Sequence, residues 1–130
     1  MRLENKTAIV TGAAGGIGSA VCHAFAAEGA NLVCADINAA ALNETVAAIT
    51  GAGGAAIGVA GDAAEEAHAR QLAAAAKSQF GGVSAVVTSA IMDVPYLPVT
   101  ELSVEDWKRS LDVNLTGVFL LLKHAIPVMA

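Results

Sequence analysis

Charged and aromatic side chains are scarce in this sequence, whereas hydrophobic ones are abundant. Charged residues make up 15% of the 130 residues and aromatic residues 4%, against 55% hydrophobic residues. A chain of this composition buries a core, and its length suits one domain over residues 1–130. No continuous apolar run reaches the roughly 20 residues of a membrane helix. The densest run, residues 118–122, ends at Lys123, and we predict no membrane span.

Positive charge is also scarce, because 7 Lys and Arg residues stand against 12 Asp and Glu residues, for a net charge of -5. The basic residues are scattered, which argues against a nucleic-acid partner. Residues 1–5 show no apolar segment of a secretory signal, so we expect a cytoplasmic protein. In that setting Cys22 and Cys34 are expected to be buried, reduced thiols.

Metal-ligand spacings are absent from the sequence as well. Neither Cys-x-x-Cys nor His-x-x-x-His occurs, so no metal site is predicted. Cys22 and His23 are neighbours on a predicted helix and point about 100° apart, which excludes a nucleophile-base pair. His68 and His124 stand alone, and we expect ordinary surface or interface roles for the histidines.

Short apolar runs alternate with helical patterns along the chain, which is typical of strand-helix-strand units around a parallel sheet. We therefore predict a Rossmann-like, doubly wound α/β fold with strand order 3-2-1-4. A cofactor would lie across the carboxyl ends, near the switch between strands 1 and 4. The predicted strands cover residues 6–11, 31–36, 55–60 and 83–88, and the predicted helices cover about 17–28, 38–50, 62–80 and 103–126.

Capping patterns set several of these helix boundaries. Asp62 and Glu65 have capping-box spacing at the start of the third helix, and Ser103 is a good N-cap for the last one. Pro127 disfavours helix at Ile126. Apolar residues three or four apart predict one buried face on the last helix, and further apolar residues indicate cover on more than one side. The predicted face consists of Val104, Trp107, Leu111, Leu115, Val118, Leu122 and Ala125.

A glycine-rich turn, TGAAGGIG at residues 11–18, lies between the first strand and the first helix. Glycines allow the backbone to come close to a pyrophosphate, and the helix N-terminus offers unpaired N–H groups and partial positive charge. A tight turn that needs glycine for packing alone is the alternative. The position directly after a strand favours a nucleotide.

Asp36 closes the second strand eighteen positions after Gly18. At this spacing a carboxylate reaches the adenosine ribose hydroxyls of a dinucleotide. It would repel a 2′-phosphate, and neither Ile37 nor the glycine turn supplies a cation to hold one, which favours NAD over NADP. A solvated turn residue is the plainer reading of Asp36. An S-adenosylmethionine-dependent methyltransferase also pairs such a turn with an acidic residue.

These residues resemble the short-chain dehydrogenase/reductase family, whose fingerprint Thr-Gly-x-x-x-Gly-x-Gly is met by Thr11, Gly12, Gly16 and Gly18. The likeness covers essentially the whole chain and implies an NAD-binding oxidoreductase that interconverts alcohols and ketones. It also implies that Asp62 contacts the adenine. Helix capping is the alternative role of Asp62, and the two roles are compatible. The cofactor-binding positions it implies are Gly12, Gly16, Ile17, Gly18, Asp36, Asp62, Ala63 and Ala90.

Asn114 matches the family's asparagine that helps to organise the catalytic proton relay. Without the resemblance it would be an unremarked polar residue in a helix. After its fourth strand the family has Asn-Asn-Ala-Gly, where this chain has Thr-Ser-Ala-Ile at residues 88–91. Thr and Ser lack the reach of an amide, and β-branched Ile91 does not readily take the backbone angles open to glycine. The family also implies a homo-oligomer, since a helix like 103–126 commonly packs in its dimer interface.

The proton-donating set of the family, Tyr-x-x-x-Lys with an upstream serine, does not occur in this chain. Tyr96 is followed four residues later by Thr100, and Ser89 and Ser103 lie in the wrong places. By alignment of elements the fold is truncated before strand 5, so we predict no catalysis by this chain alone. Two hypotheses remain: the NAD-binding part of an oxidoreductase, and a non-catalytic NAD-binding or dimerisation module that is complete at residue 130.

Overall fold

Four parallel strands form one sheet within residues 1–129, the part of the chain that the computed structural model describes. Their order is β3-β2-β1-β4, which confirms the predicted topology. The strands are β1 (Thr7–Thr11), β2 (Asn31–Asp36), β3 (Ala55–Ala60) and β4 (Ala85–Thr88). The helices are α1 (Gly16–Ala27), α2 (Ala39–Gly51), α3 (Glu66–Phe80), α4 (Val104–Leu111) and α5 (Gly117–Met129), with a π-helical segment (Asp112–Thr116) between the last two.

The central strand β1 is buried along its whole length. Successive side chains of a strand point to opposite faces, so β1 contributes to two core clusters. Ala8 and Val10 pack on the side of α1 and α2, whereas Ile9 packs on the side of α3 and α5. Helices therefore cover both faces of the sheet, which explains the continuous apolar runs and confirms the doubly wound fold.

Two cysteines lie in the first of these clusters. Cys22 on α1 and Cys34 on β2 are free, buried thiols, with their Sγ atoms 3.7 Å apart. The contact with Cys22 and burial both raise the pKa of the Cys34 thiol. Both side chains therefore act as small core residues.

The third helix begins later than its capping pattern predicts. α3 starts at Glu66, and Glu65 precedes it without a side-chain cap. Asp62 accepts a hydrogen bond from the Ala64 N–H at 3.0 Å, and a local turn of this kind competes with helix formation. The predicted start at Asp62 is therefore wrong, while the predicted end at Phe80 is correct.

The chain from Val104 to Met129 is one continuous helix whose buried face differs from the predicted one. No side chain of Val104–Leu111 is buried. Burial begins with Val113 in the π-helical segment and continues in α5. Periodicity identifies an apolar face but not what covers it, and the wider π turn changes the rotation of later residues. Of the predicted face, Val104, Trp107, Leu111 and Leu115 are exposed, Val118 and Leu122 are half-buried, and Ala125 is buried.

The last helix also passes the predicted end at Ile126. α5 continues to Met129 with Pro127 inside it. A proline removes one N–H donor from the helix ladder. In the final turn this loss affects a single hydrogen bond, so the helix is not broken there.

By length and composition, the 26-residue helix Val104–Met129 is apolar enough to cross a membrane. A core helix of an α/β domain has the same properties. Leu121 and Ala125 pack in one cluster with Ile9 and Val33 of the sheet. The second half of the helix therefore packs against the sheet as a core helix does.

Candidate functional site

A cleft of about 430 Å³ opens at the carboxyl ends of the strands. Thr11 at the end of β1, Asp36 at the end of β2 and Ser89 directly after β4 line it. Ligands of open α/β sheets bind at this edge, where the strand order reverses. The volume lies within the roughly 300–1,000 Å³ of small-molecule sites. The cleft therefore lies where the sequence predicts a cofactor.

The glycines of the 11–18 turn have two different roles. Gly12 has a φ of 66°, and a Cβ there would lie 2.5 Å from the carbonyl oxygen of Ser89. A Cβ on Gly18 would collide with the Gly12 carbonyl. A Cβ on Gly16 would meet nothing within 4 Å. Packing therefore explains Gly12 and Gly18, whereas Gly16 borders open space.

The first turn of α1 begins beside the cleft. Gly15 lines the cleft and precedes the helix, and it has no side chain to cap the first amides. Ile17 in this turn is 76% exposed. The first N–H groups of a helix lack intrahelical partners and carry partial positive charge. This end of the helix is therefore suited to an anion such as a pyrophosphate.

The Asp36 carboxylate is fixed by two backbone amides. Its Oδ2 accepts from Ala14 N at 3.0 Å, and its Oδ1 accepts from Asn38 N at 2.9 Å. The first bond ties the end of β2 to the glycine turn. Because a carboxylate has about four acceptor sites, capacity remains for ligand hydroxyls.

Asp62 lines the cleft and forms an ion pair. Its Oδ2 lies 2.8 Å from the Arg109 guanidinium, and its Oδ1 accepts from Ala64 N. Burial alone would raise the pKa of this carboxyl, but the hydrogen bonds from Ala64 and Arg109 outweigh burial and hold the pKa below its ordinary value. Asp62 is therefore a carboxylate at neutral pH, with its orientation set from two sides.

Asn114 lies in the π-helical segment and binds the loop after β4. Its Oδ1 accepts from Met92 N at 2.9 Å, while its Nδ2 donates to Met92 O at 3.1 Å. The same Nδ2 donates to Ser110 Oγ at 3.1 Å. Met92 lines the cleft. The side chain of Asn114 thus fixes one edge of the cleft.

The loop after β4 has ordinary backbone geometry although its sequence differs from that of the family at residues 88–91. Asn5 is the one non-glycine residue with positive φ among residues 1–129, so Ile91 has ordinary backbone angles. The expected conflict between β-branched Ile91 and glycine-like angles does not arise. Ala90 N donates to Thr11 Oγ1 at 3.3 Å, which links this loop to the end of β1.

His68 is a cleft residue that sequence reasoning missed. We expected a surface or interface role, but His68 is only 6% exposed and lines the cleft from α3. A usable signal existed, since His68 lies four residues before the core anchor Leu72 and eight before Ala76, on one helix face. Burial lowers the pKa of this imidazole, against an opposing attraction from Asp62. The ring is therefore neutral at physiological pH.

The structure brings most of the predicted site residues together. Asn114 does not line the cleft, but it holds Met92, which does. Residues 16–18 lie in the adjoining first turn of α1. The predicted residues that line the cleft are Gly12, Asp36, Asp62, Ala63 and Ala90. No group of three or more His, Cys, Asp or Glu side chains within residues 1–129 is placed to hold a metal ion.

Comparisons with known proteins agree with this geometry. A family model described as short chain dehydrogenase matches residues 6–130. D-threitol dehydrogenase of Mycolicibacterium smegmatis is 40% identical over 120 residues, which cover 92% of this chain and 46% of that protein. Galactitol 2-dehydrogenase of Agrobacterium fabrum is 39% identical over 130 residues, which cover 99% of this chain and 49% of that protein. The chain spans about half the length of these curated relatives.

Solved structures show the same similarity. A crystal structure of a short chain dehydrogenase/reductase from Burkholderia phymatum, in complex with NAD, matches with a TM-score of 0.94 and 33% sequence identity. The match covers 99% of this chain and 46% of that one. The fold and the family model therefore agree over nearly all of the chain.

Proposed function

The chain belongs to the short-chain dehydrogenase family, and we propose that it forms the NAD-binding part of an oxidoreductase that interconverts an alcohol and a ketone. One observation carries the proposal. The Asp36 carboxylate and the start of α1 flank the same cleft, so a site for ribose hydroxyls lies beside a site for a pyrophosphate. The relative from Burkholderia phymatum, whose structure holds NAD, supports this cofactor.

Charge at the ribose end favours NAD over NADP. A 2′-phosphate would be brought close to the Asp36 carboxylate, which is held in place by Ala14 N and Asn38 N. Arg109 is a cation that lines the same cleft, but its guanidinium is already paired with Asp62 at 2.8 Å. A 2′-phosphate would have to compete for that pair, whereas ribose hydroxyls would donate to Asp36.

The remaining parts of NAD would extend along the cleft in two directions. We assign the adenine to the end formed by Asp62 and Ala63, and the pyrophosphate to the amides of Gly16, Ile17 and Gly18. The fit rests on the open space beside Gly16, where a Cβ would meet nothing within 4 Å. NAD, when bound, supplies the nicotinamide that accepts or donates a hydride.

At the reacting end, Asn114 is a positioning residue in this proposal. Its Nδ2 donates to both Met92 O and Ser110 Oγ, and its Oδ1 accepts from Met92 N. It thereby fixes the 89–93 loop, beside which the nicotinamide half would lie. The chain has no Tyr-x-x-x-Lys motif to donate a proton, so we predict that it binds NAD without turning over any alcohol.

We also propose that the exposed apolar face of the long helix is a contact between copies of the protein. Trp107, Leu115 and Phe119 are 55%, 66% and 60% exposed. Leu115 follows Trp107 by eight residues, and Phe119 follows Leu115 by four, so the three extend the same face. Large apolar patches of this kind mark interaction sites. This contact is also what a non-catalytic dimerisation module would use.

A soluble, cytoplasmic setting completes the proposal. The long apolar helix packs against the sheet through Leu121 and Ala125, which supports a core helix rather than a membrane span. The net charge of -5 gives no support to a nucleic-acid partner. The expected partners are therefore NAD and, in a complete enzyme, a small alcohol or ketone.

Calorimetric titration of this chain with NAD and with NADP tests the proposal. We expect saturable binding of NAD, and weaker binding of NADP. The variant Asp36→Ala removes the ribose acceptor and should weaken NAD binding, whereas Glu44→Gln removes an exposed carboxylate of α2 outside the cleft and should not. Absence of saturable NAD binding by the unaltered chain, with its fold confirmed by circular dichroism, would refute the proposed function.

A further inference from the structure

The buried imidazole of His68 has no hydrogen bond at one of its two nitrogens. Its Nδ1 is buried and has no partner among residues 1–129. Burying a polar atom without a partner is unfavourable, and an apolar side chain would avoid that cost. A hydrogen bond at Nδ1 therefore does not explain the histidine at this position.

The flat face of the ring is the property that the structure shows in use. A Cβ on Gly61 would lie 2.7 Å from both Cε1 and Cγ of His68, and closer still to Nδ1 between them. Cε1 and Cγ are only slightly farther from this Cβ than Nδ1 is, whereas an approach in the ring plane toward Nδ1 would leave both carbons much farther away. The face of the ring, not its edge, therefore lies against Gly61. A branched aliphatic side chain has no such flat surface. Gly61 and His68 therefore fit each other as a pair.

Gly61 opens the loop that forms one end of the cleft. It donates a backbone hydrogen bond to Asp36 O at 3.1 Å, and Asp62 and Ala63 follow it along the cleft. Arg109 also holds this 61–63 loop, through its ion pair with Asp62. His68 supports the same loop from beneath, since its ring contacts Gly61 and itself borders the cleft.

We propose that His68 is a positioning residue for the base of the bound nucleotide, whose ring face holds the 61–63 loop where Asp62 and Ala63 meet the adenine. This inference rests on the proposed function. It assigns His68 a role that is exerted through its contact with Gly61, since the free Nδ1 is buried. The flat ring, with Gly61 above it, sets the width of the base-binding end.

Titration of three variants with NAD and with AMP tests the role of the ring. His68→Ala removes the support and should weaken the binding of both ligands roughly tenfold, equivalent to about 1.4 kcal/mol. His68→Phe keeps a flat ring without the nitrogens and should restore affinity to within about threefold of the original, or about 0.7 kcal/mol. Leu72→Val, one turn further along α3, perturbs the core without touching Gly61 and should leave affinity unchanged. Thermal unfolding of each variant separates affinity from stability.

A double-mutant cycle with Gly61→Ala gives an independent result. The new methyl group would strike the His68 ring and displace the loop, so Gly61→Ala alone should weaken AMP binding. In the Gly61→Ala/His68→Ala double variant the methyl group fills the space that the ring leaves. The loss of AMP affinity in the double variant should therefore be smaller than the sum of the losses in the two single variants.

The outcomes distinguish this inference from the proposed function. If the unaltered chain binds no NAD, both are wrong. If it binds NAD and His68→Ala binds AMP equally well, the role of His68 alone is overturned. Additive losses in the cycle, or loss of affinity in His68→Phe as large as in His68→Ala, would also overturn it.

Discussion

The side-chain amide of Asn114 pairs with both backbone polar groups of Met92, at 2.9 Å to the nitrogen and 3.1 Å to the oxygen. The pairing joins the π-helical segment to the loop after β4, across 22 residues of sequence. An extra residue in a helical turn is frequent at functional sites. Here the segment carries the one side chain that fixes the edge of the cleft.

Asn114→Ala should therefore loosen the 89–93 loop. Both hydrogen bonds to Met92 are lost, but their groups are exposed and regain water, so we expect a loss of about 1 kcal/mol in the free energy of unfolding. Hydrogen exchange at the Met92 amide should accelerate by a larger factor than exchange in β1. Asn43→Ala, an exposed asparagine of α2, serves as the control. Unchanged exchange at Met92 would contradict the prediction.

Asp36→Asn should reduce the discrimination between NAD and NADP. The amide oxygen keeps one of the two backbone hydrogen bonds that Asp36 accepts, from Ala14 N and Asn38 N, while the second N–H loses its acceptor. The negative charge beside the 2′-phosphate is removed, and circular dichroism checks that the turn stays folded. We expect the ratio of the two affinities to fall by about tenfold, or ~1.4 kcal/mol. Parallel calorimetric titrations measure this ratio. An unaltered ratio would mean that another group selects the cofactor.

The sheet and its cofactor edge could be predicted because local signals were sufficient there. The runs at residues 7–11 and 31–36 are apolar enough to be central strands. The glycine turn between the first strand and the first helix shows at which edge of the sheet the site lies. The pairing of Asp62 with Arg109 could not be predicted, because the two are 47 residues apart. The spacing along the sequence predicts that Asp62 caps a helix. In the fold, Asp62 instead pairs with Arg109, a cation far away in the sequence.

The long helix shows a second limit of pattern reasoning. Both of its faces are apolar, so periodicity alone does not decide which face meets the sheet. Leu121 does so, whereas Leu115 faces solvent. His68 was missed because alanines make up most of α3 around it, so that the spacing to Leu72 was the main sign of a buried face.

Glu66 should make stability depend on pH below about 4.5. Its Oε1 lies 3.1 Å from both Lys123 Nζ and His124 Nε2, and 3.2 Å from Arg70. The hydrogen bonds from Lys123 and His124 lower the pKa of Glu66 from its ordinary value of 4.5. The network therefore stabilises the folded state above pH 4.5, and this contribution is lost as the pH falls through the lowered pKa.

Denaturant unfolding between pH 3 and pH 6 measures this effect. Glu66→Gln should flatten the dependence of unfolding free energy on pH in the acid part of that range, leaving the share that comes from Asp62 and Glu28. Glu44→Gln is the control, since no partner is recorded for that exposed carboxylate among the hydrogen bonds and ion pairs of residues 1–129. Equal slopes for Glu66→Gln and the original chain would contradict the prediction.

His68 should add a second pH dependence at higher pH. Burial lowers the pKa of His68 below the ordinary 6.5, although Asp62 opposes the shift. The unfolded chain therefore binds this proton more readily than the folded one, so stability should fall as the pH drops from about 6.5 toward the lowered pKa. His68→Phe should remove that fall, while His23→Gln, at an exposed site, should not. Unfolding free energies at pH 5.0 to 7.5 provide the measurement.

Leu115→Arg should reduce self-association without unfolding the chain. Leu115 is 66% exposed on the same helix face as Trp107 and Phe119, so the domain core does not depend on it. A buried, unpaired guanidinium at a contact between two copies is strongly unfavourable. We expect the mass from light scattering to fall to that of a monomer, with an unchanged circular dichroism spectrum. Thr116→Arg adds the same charge at the next residue, on another side of the helix, and should leave the mass unaltered. Equal masses for all three proteins would exclude this face as the contact.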